Sequence, residues 1–532
     1  MKTALTSKTE ISNIIYKRLH SFLEGYRQNV VLTGPELSGK NHLLNKNISK
    51  LYLESNAFIH IYANIEFLTL PEITKSIFTS LLFSFLKKKG IRAQYNLDFM
   101  LLESEKEIPK TSAKIKEYLN TLQSKEKITI YPLAETLNIF IKESGFKIIV
   151  ILDNFSRLKS IPKKSLNDLS KYIMTQKDIM FIFSGHKDKD ADALISEELN
   201  ILFGSFEAVQ LSNFSDREAS LHLKENLREN IGENAERFLL DFTNNNTLYL
   251  NIILNSLNQK HGESAPPPRL TEIIADRLLN PESSLYQIFR SKLHKIRNNS
   301  KDRILMPPLL LAMAEGYTRK RDLLSLLKID SKALSSRLSK LMEMNLSAKS
   351  GSFFYIPDKL FSFWLSSVFK CGFAFPLFFS EEKTKFVQNK VEQRFEEFES
   401  ISKKDSFERF MDLINLFKDD TIRIGNKSIN LPHLQRFKIT PAHNENMKFI
   451  IGEAKRYYLI MAFKDSRPDE NDILEFSSRC SYFRRRQPKK IFISLEGADL
   501  TTKVLAKEKK LFFWRKEELN YILRLYNQQE FV

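Results

Sequence analysis

The 532-residue sequence is poor in glycine, with 15, and holds only two cysteines and two tryptophans. Cys371 and Cys480 are too few for a disulfide framework or a cysteine-built metal site, and the nine histidines show no metal-ligand spacing. A reducing, cytoplasmic setting is expected. The opening MKTALTSKTEISN has no unbroken apolar core after its charge, so it does not read as a secretory signal. The most apolar stretch, residues 361–380, carries Lys370 in its middle and Pro376 near its end, which favours short buried elements over a membrane span. No membrane partner is expected. Scarce glycine makes each one informative: Gly34 and Gly39 bracket one loop, while Gly145, Gly185 and Gly204 border apolar β-branched runs.

What is present is a globular composition, 42% hydrophobic, on a chain long enough for about three or four domains. Lys and Arg outnumber Asp and Glu by 82 to 64, a formal charge of +18, which favours a polyanionic partner such as double-stranded DNA without naming it. Five short apolar runs, 29–33, 58–65, 147–152, 178–183 and 206–211, alternate with helical stretches. That pattern predicts an α/β core with a parallel sheet covered on both faces, over residues 1–215. A charged helical segment, 92–130, interrupts it. Helices within 216–265 read as a lid ending at the stiff ESAPPPR connector, and 266–303 as a helical linker.

The loop Gly34-Pro35-Glu36-Leu37-Ser38-Gly39-Lys40-Asn41 follows an expected strand and precedes an expected helix. Glycines there let backbone N–H groups face an anion, the helix N-terminus adds positive potential, and Lys40 reaches terminal phosphates. This is a phosphate-loop pattern, with ATP and Mg²⁺ as the expected cofactors. Such loops normally end in Ser or Thr, whose hydroxyl binds Mg²⁺; Asn41 stands there instead. The apolar run IIVILDN ends in Asp153, placed to hold Mg²⁺ through water. Asn154 follows, where hydrolytic enzymes of this class carry a glutamate that orients the attacking water, and an amide cannot act as a base.

With the loop 34–41, LDN at 152–154, FSG at 183–185 and LFG at 202–204, the first ~260 residues resemble the P-loop ATPases of the AAA+ and STAND groups, most closely the archaeal-type ATPase family. That resemblance implies an ATPase module joined to a winged helix and a nuclease-like domain. It implies that Ser184 is a polar sensor, and that Ser205 replaces an arginine proposed to act on phosphate. Asn41, Asn154 and Ser205 thus each alter a hydrolytic part, while Lys40 and Asp153 remain.

Residues 304–368 read as the winged helix, with helices at 309–314, 321–327 and 331–344 and a hairpin at 348–356 turning at Ser350-Gly351. Leu334, Leu338 and Leu341 share one face of the third helix, leaving Lys332, Arg337 and Lys340 as candidate DNA contacts. Arg319, Lys320 and Lys349 add charge nearby, and the hairpin is placed to touch phosphate. Residues 386–532 resemble the restriction-endonuclease-like fold. Its metal carboxylates fall at Phe449 and Ala462, leaving Lys464 of the acid-x-Lys trio; Glu453-Ala454-Lys455 offers another such trio, but no acid stands at the matching place upstream, Phe437 to Thr440, so cleavage is not expected. Arg484, Arg485 and Arg486 form a further basic run, a candidate phosphate contact, although a solvated helix end is the usual reading of such a run.

The expectation is an ATP-binding, nucleotide-gated switch, associated with DNA, with weak or no hydrolysis of its own. One alternative is an ATPase completed by a neighbouring subunit of a homo-oligomer; another is a metal-dependent nuclease.

Overall fold

The computed structural model describes residues 8–66, 68–91, 96–122, 129–186, 191, 194, 206–228, 230–258, 270–297, 305–371, 380–424, 427–441, 447–455, 457–483 and 488–531. The chain divides into two compact units, Met1–Ser215 with Asn246–Leu248, and Asp216–Asn245 with Tyr249–Val532.

In the first unit the apolar runs form β1 (Asn29–Thr33), β2 (Phe58–Asn64), β3 (Lys147–Asp153), β4 (Ile179–Gly185) and β5 (Phe206–Gln210). They build the expected parallel sheet, in the order β2-β3-β4-β1-β5. Alternate residues serve opposite faces. Val30, Leu32, Ile149, Ile151, Met180 and Ile182 pack with helices α1 (Lys8–Leu23) and α2 (Lys40–Glu54). Val31, Ile59, Ile61, Val150, Leu152 and Phe181 face the other core, built from α3 (Leu70–Lys88), α4 (Leu97–Glu105), α5 (Pro109–Thr121), α6 (Tyr131–Ser144) and α7 (Lys163–Thr175). The segment expected as a charged insertion supplies α4 and α5, whose Met100, Leu101, Ile115 and Tyr118 are core residues. At the sheet edge, Ser84 Oγ donates to His60 O (2.6 Å) and Tyr62 N donates to Ser80 Oγ (3.0 Å), so α3 satisfies outward backbone groups of β2.

In the second unit, helices Met306–Ala314, Lys320–Leu327 and Ser331–Glu343 precede a hairpin of β6 (Ala348–Ser350) and β7 (Phe353–Tyr355). A second hairpin, β8 (Asp420–Ile424) and β9 (Lys427–Leu431), follows. The sheet of β10 (Arg436–Pro441), β11 (Met447–Glu453), β12 (Tyr458–Lys464), β13 (Lys489–Ser494) and β14 (Phe512–Arg515) runs in chain order, its first two pairings antiparallel and its last two parallel. Helices Glu470–Ser481 and Leu500–Glu508 cover one face; Ser406–Asn415 and Lys516–Leu525 cover the other.

Among the described residues, no helix is long and apolar enough to cross a membrane.

Candidate nucleotide-binding site

Gly34 leaves β1 with its N–H bonded to Gly185 O (3.1 Å), and a Cβ there would lie 2.5 Å from Leu211 O. No other residue fits that approach without displacing β5's end. Beyond it, Leu37 (φ 59°) and Gly39 (φ 91°) are left-handed, turning the backbone between them into the concave arrangement that suits an anion. Gly39 is the N-cap of α2 and supplies no capping side chain, and the first turn holds no acid. The helix therefore presents uncapped N–H groups and its positive end at the loop.

Lys40 is 9% exposed, and its Nζ donates to Gly34 O (2.9 Å) and Pro35 O (2.6 Å), holding the ammonium over the loop. Burial pulls its pKa down to about 8, against the opposing pull of Asp153 and Glu36. A phosphate beside Lys40 would offset that burial cost.

Asp153, Ser184 and Asn64 stand in register at the carboxyl ends of β3, β4 and β2. Asp153 Oδ2 accepts from Asn41 Nδ2 (3.0 Å) and from the Tyr62 hydroxyl (2.8 Å); Asn41 Nδ2 also reaches the Tyr62 oxygen at 3.3 Å. Its Oδ1 accepts from Asn154 N (3.1 Å). Asn154 itself is left-handed (φ 60°), and its Nδ2 donates to Asn64 Oδ1 (3.0 Å). The hydroxyls of Ser184 and Ser38 are buried with no hydrogen-bond partner among the described residues, so both can still donate to a ligand oxygen.

Gly34, Gly39, Lys40, Asn41, Asp153, Asn154 and Ser184 are thus brought to one end of the sheet. The donor chemistry fits a nucleotide triphosphate with Mg²⁺: backbone N–H groups and an ammonium for phosphate, a carboxylate for the hydrated cation. Three contributors escape a linear reading. Tyr62 and Asn64 enter from the neighbouring strand; their only signal is polarity on alternate positions of FIHIYAN. Lys8 donates from α1 to Ser38 O (3.0 Å) and to the Thr247 hydroxyl, bracing the loop, and nothing in its sequence context marks it.

The basic residues assigned to DNA are not gathered this way. Lys332 is exposed on the Ser331–Glu343 helix, while Arg337 and Lys340 are half-buried. Arg319 is not a free surface charge: it forms a bidentate pair with Asp420 (2.8 and 2.9 Å), beneath the Tyr526 hydroxyl. Lys320 donates to Ser335 Oγ (2.8 Å). The Ser350-Gly351 turn, expected to touch phosphate, packs on β8 instead: Ser352 N donates to Thr421 O (2.8 Å), Arg423 N donates to Ser350 Oγ (3.1 Å), and a Cβ on Gly351 would meet Thr421 O at 1.9 Å. Lys349 stays exposed. Arg484, Arg485, Arg486 and Ser205 lie outside the described residues, as does the LFG segment.

In the C-terminal sheet, Phe449 pairs directly with Ala462 across β11 and β12. Both are buried, and Phe449 stacks on Phe476 at 5.8 Å, so neither position offers a metal ligand. Lys464 is 5% exposed and donates to Asp472, itself part of a capping box with Asp469. Among the described residues, no group of three or more His, Cys, Asp and Glu side chains is placed to hold a metal ion.

No family model matches the sequence, and no curated protein matches it. Among solved structures, the chain is similar to a Walker-type ATPase of Pyrococcus abyssi, at 18% identity over 66% of this chain and 94% of that one, TM-score 0.43. It is also similar to the ORC2 protein of Aeropyrum pernix in ADPNP and ADP complexes (12% identity, 73% and 96% covered, TM-score 0.40). The ORC1 protein of Aeropyrum pernix in complex with DNA is a third (12%, 69% and 93%, TM-score 0.40).

Proposed function

We propose that this chain is an ATP-binding switch protein that hydrolyses ATP slowly or not at all. The observation that carries the reading is the convergence of Lys40, on the glycine-bracketed loop, and Asp153, on the strand end two places along the sheet, with uncapped helix N–H groups between them. The phosphates would lie along residues 34–40 with Lys40 neutralising their charge, and Asp153 would hold Mg²⁺ through water. Magnesium supplies charge neutralisation between the phosphates.

Three features support binding over turnover. Asn154 has no basic group, and its amide is committed to Asn64. Asn41 directs its amide N–H to Asp153, where a hydroxyl would serve the cation. Ser205 stands where relatives in the resemblance place an arginine. A DNA partner remains part of the proposal on charge alone, supported by the +18 excess and by Lys332 and Lys349. The C-terminal sheet is proposed as a nuclease-like scaffold without cleavage chemistry, supported by the Phe449–Ala462 pairing and the Lys464–Asp472 pair. A homo-oligomer completing the site is the alternative to a silent one.

Mg-ATP at a hundredfold excess over its Kd should stabilise the folded chain by about 2.7 kcal/mol, and Lys40→Ala should remove that gain. An unchanged melting curve at millimolar Mg-ATP overturns the nucleotide assignment.

A further inference from the structure

The first unit also contains a groove of about 900 Å³ that shares Tyr62 with the nucleotide site. Its floor is the outer side of edge strand β2, with Tyr62 exposed and His60 half-buried, its Nδ1 2.8 Å from the Tyr52 hydroxyl of α2. Its walls are Tyr52 and Asn56 at the end of α2 and the Ser76, Ser80, Phe83 and Lys87 side of α3. The size and the mix of aromatic surface with a few polar groups suit a small molecule.

Two observations select the ligand class. First, the groove is not a place to add a peptide strand, because Ser80 and Ser84 already engage Tyr62 N and His60 O on the edge of β2. Recognition must therefore come from side chains. Second, those side chains are sorted along the groove. At one end sit Lys87 and Lys88, the latter 4.7 Å from the Tyr52 ring centroid and bonded to Asn56 Oδ1 (3.0 Å). At the other end are Ser76, Lys75, Glu72, whose carboxylate accepts from Thr69 N (2.7 Å), and Tyr62, whose hydroxyl is bonded to Asp153 Oδ2 (2.8 Å) and Asn41 Nδ2 (3.3 Å). A cationic end, aromatic walls and a hydroxyl-bearing end match a heteroaromatic ring carrying a phosphate.

We infer that this groove binds a nucleoside monophosphate, with phosphate at Lys87 and Lys88 and the base beside Tyr62. The same tyrosine gives the groove a route to the nucleotide site. Its hydroxyl has one proton, donated in this structure to Asp153 Oδ2. A base acceptor that takes that proton leaves Asp153 with fewer donors and makes it a better partner for hydrated Mg²⁺. This second step rests on the nucleotide-site reading above; the groove itself does not.

The test is calorimetric titration of the full chain with AMP, GMP, CMP and UMP in the absence of ATP. At least one should bind with one site per chain. Lys87→Glu should weaken it about tenfold and Ser76→Trp should abolish it, while Lys40→Ala should leave it unchanged. If none of the four saturates at millimolar concentration, or if Lys40→Ala removes binding and Lys87→Glu does not, the groove assignment is wrong. The bound monophosphate should then tighten Mg-ATP severalfold in the parent and not in Tyr62→Phe, which keeps the ring and loses the proton. Equal effects in both overturn the coupling. A chain that binds a monophosphate in this pattern but no ATP at all refutes the nucleotide-site reading instead.

Discussion

Asn154 occupies a left-handed backbone position that asparagine tolerates better than most side chains. Asn154→Glu should therefore cost about 1 kcal/mol in thermal unfolding while restoring a carboxylate next to Asp153. Phosphate release should rise above the parent's slow rate; no rise would show that this position does not face the attacking water. Lys40 offers a cleaner titration. Its pKa of about 8 lies below the ordinary lysine value, so at pH 9 the free ammonium has largely lost its proton. Phosphate beside it favours the charged form, so Mg-ATP binding at pH 9 should take up close to one proton per site, and almost none at pH 7. Calorimetry in buffers of different ionisation enthalpy measures this, and an uptake independent of pH would place the phosphates away from Lys40. Lys40 and Asp153 were legible in the sequence because loop spacing and a strand ending in acid are local patterns. Tyr62 and Asn64 were not, since their role depends on register with a strand some ninety residues away.

Among the elements, the strands of the first unit announced themselves as apolar runs, buried on both faces in β1, β3 and β4, and the sheet has the parallel pairing such runs favour. The hairpin β6–β7 was equally legible as a hairpin, but not its burial, because Ser350 and Ser352 meet β8 through contacts some seventy residues apart in the chain. Gly351→Ala should destabilise that junction by more than about 2 kcal/mol, since both its φ of 56° and the approach of Thr421 O forbid a side chain. Denaturant unfolding decides it, and a neutral effect would mean that the hairpin does not pack on β8. Lys464 gives a parallel case. In an active nuclease it would face metal and phosphate; here it is buried against Asp472. Lys464→Ala should cost about 3–5 kcal/mol by stranding a buried carboxylate. A surface-sized loss below about 0.5 kcal/mol would contradict the pairing.

For the whole molecule, Arg319 and Lys464 are committed to buried carboxylates, which removes equal positive and negative charge and leaves the +18 excess to the remaining residues. Duplex DNA binding, where it occurs, should weaken steeply with salt, and Lys332→Glu should lower the slope of log Kd against log salt by about one. Salt-independent binding would assign the charge elsewhere. None of this substitutes for the nucleotide. On the function proposed above, the chain holds ATP at Lys40 and Asp153 without turning it over. Equilibrium titration of Mg-ATP and phosphate release, measured on one preparation of the full chain and of Lys40→Ala, tests it directly. The expected result is saturable binding to one site, at least about tenfold weaker in the variant, with turnover far below the ~10 s⁻¹ typical of enzymes. Binding unaffected by Lys40→Ala, or brisk phosphate release by the parent, would contradict it.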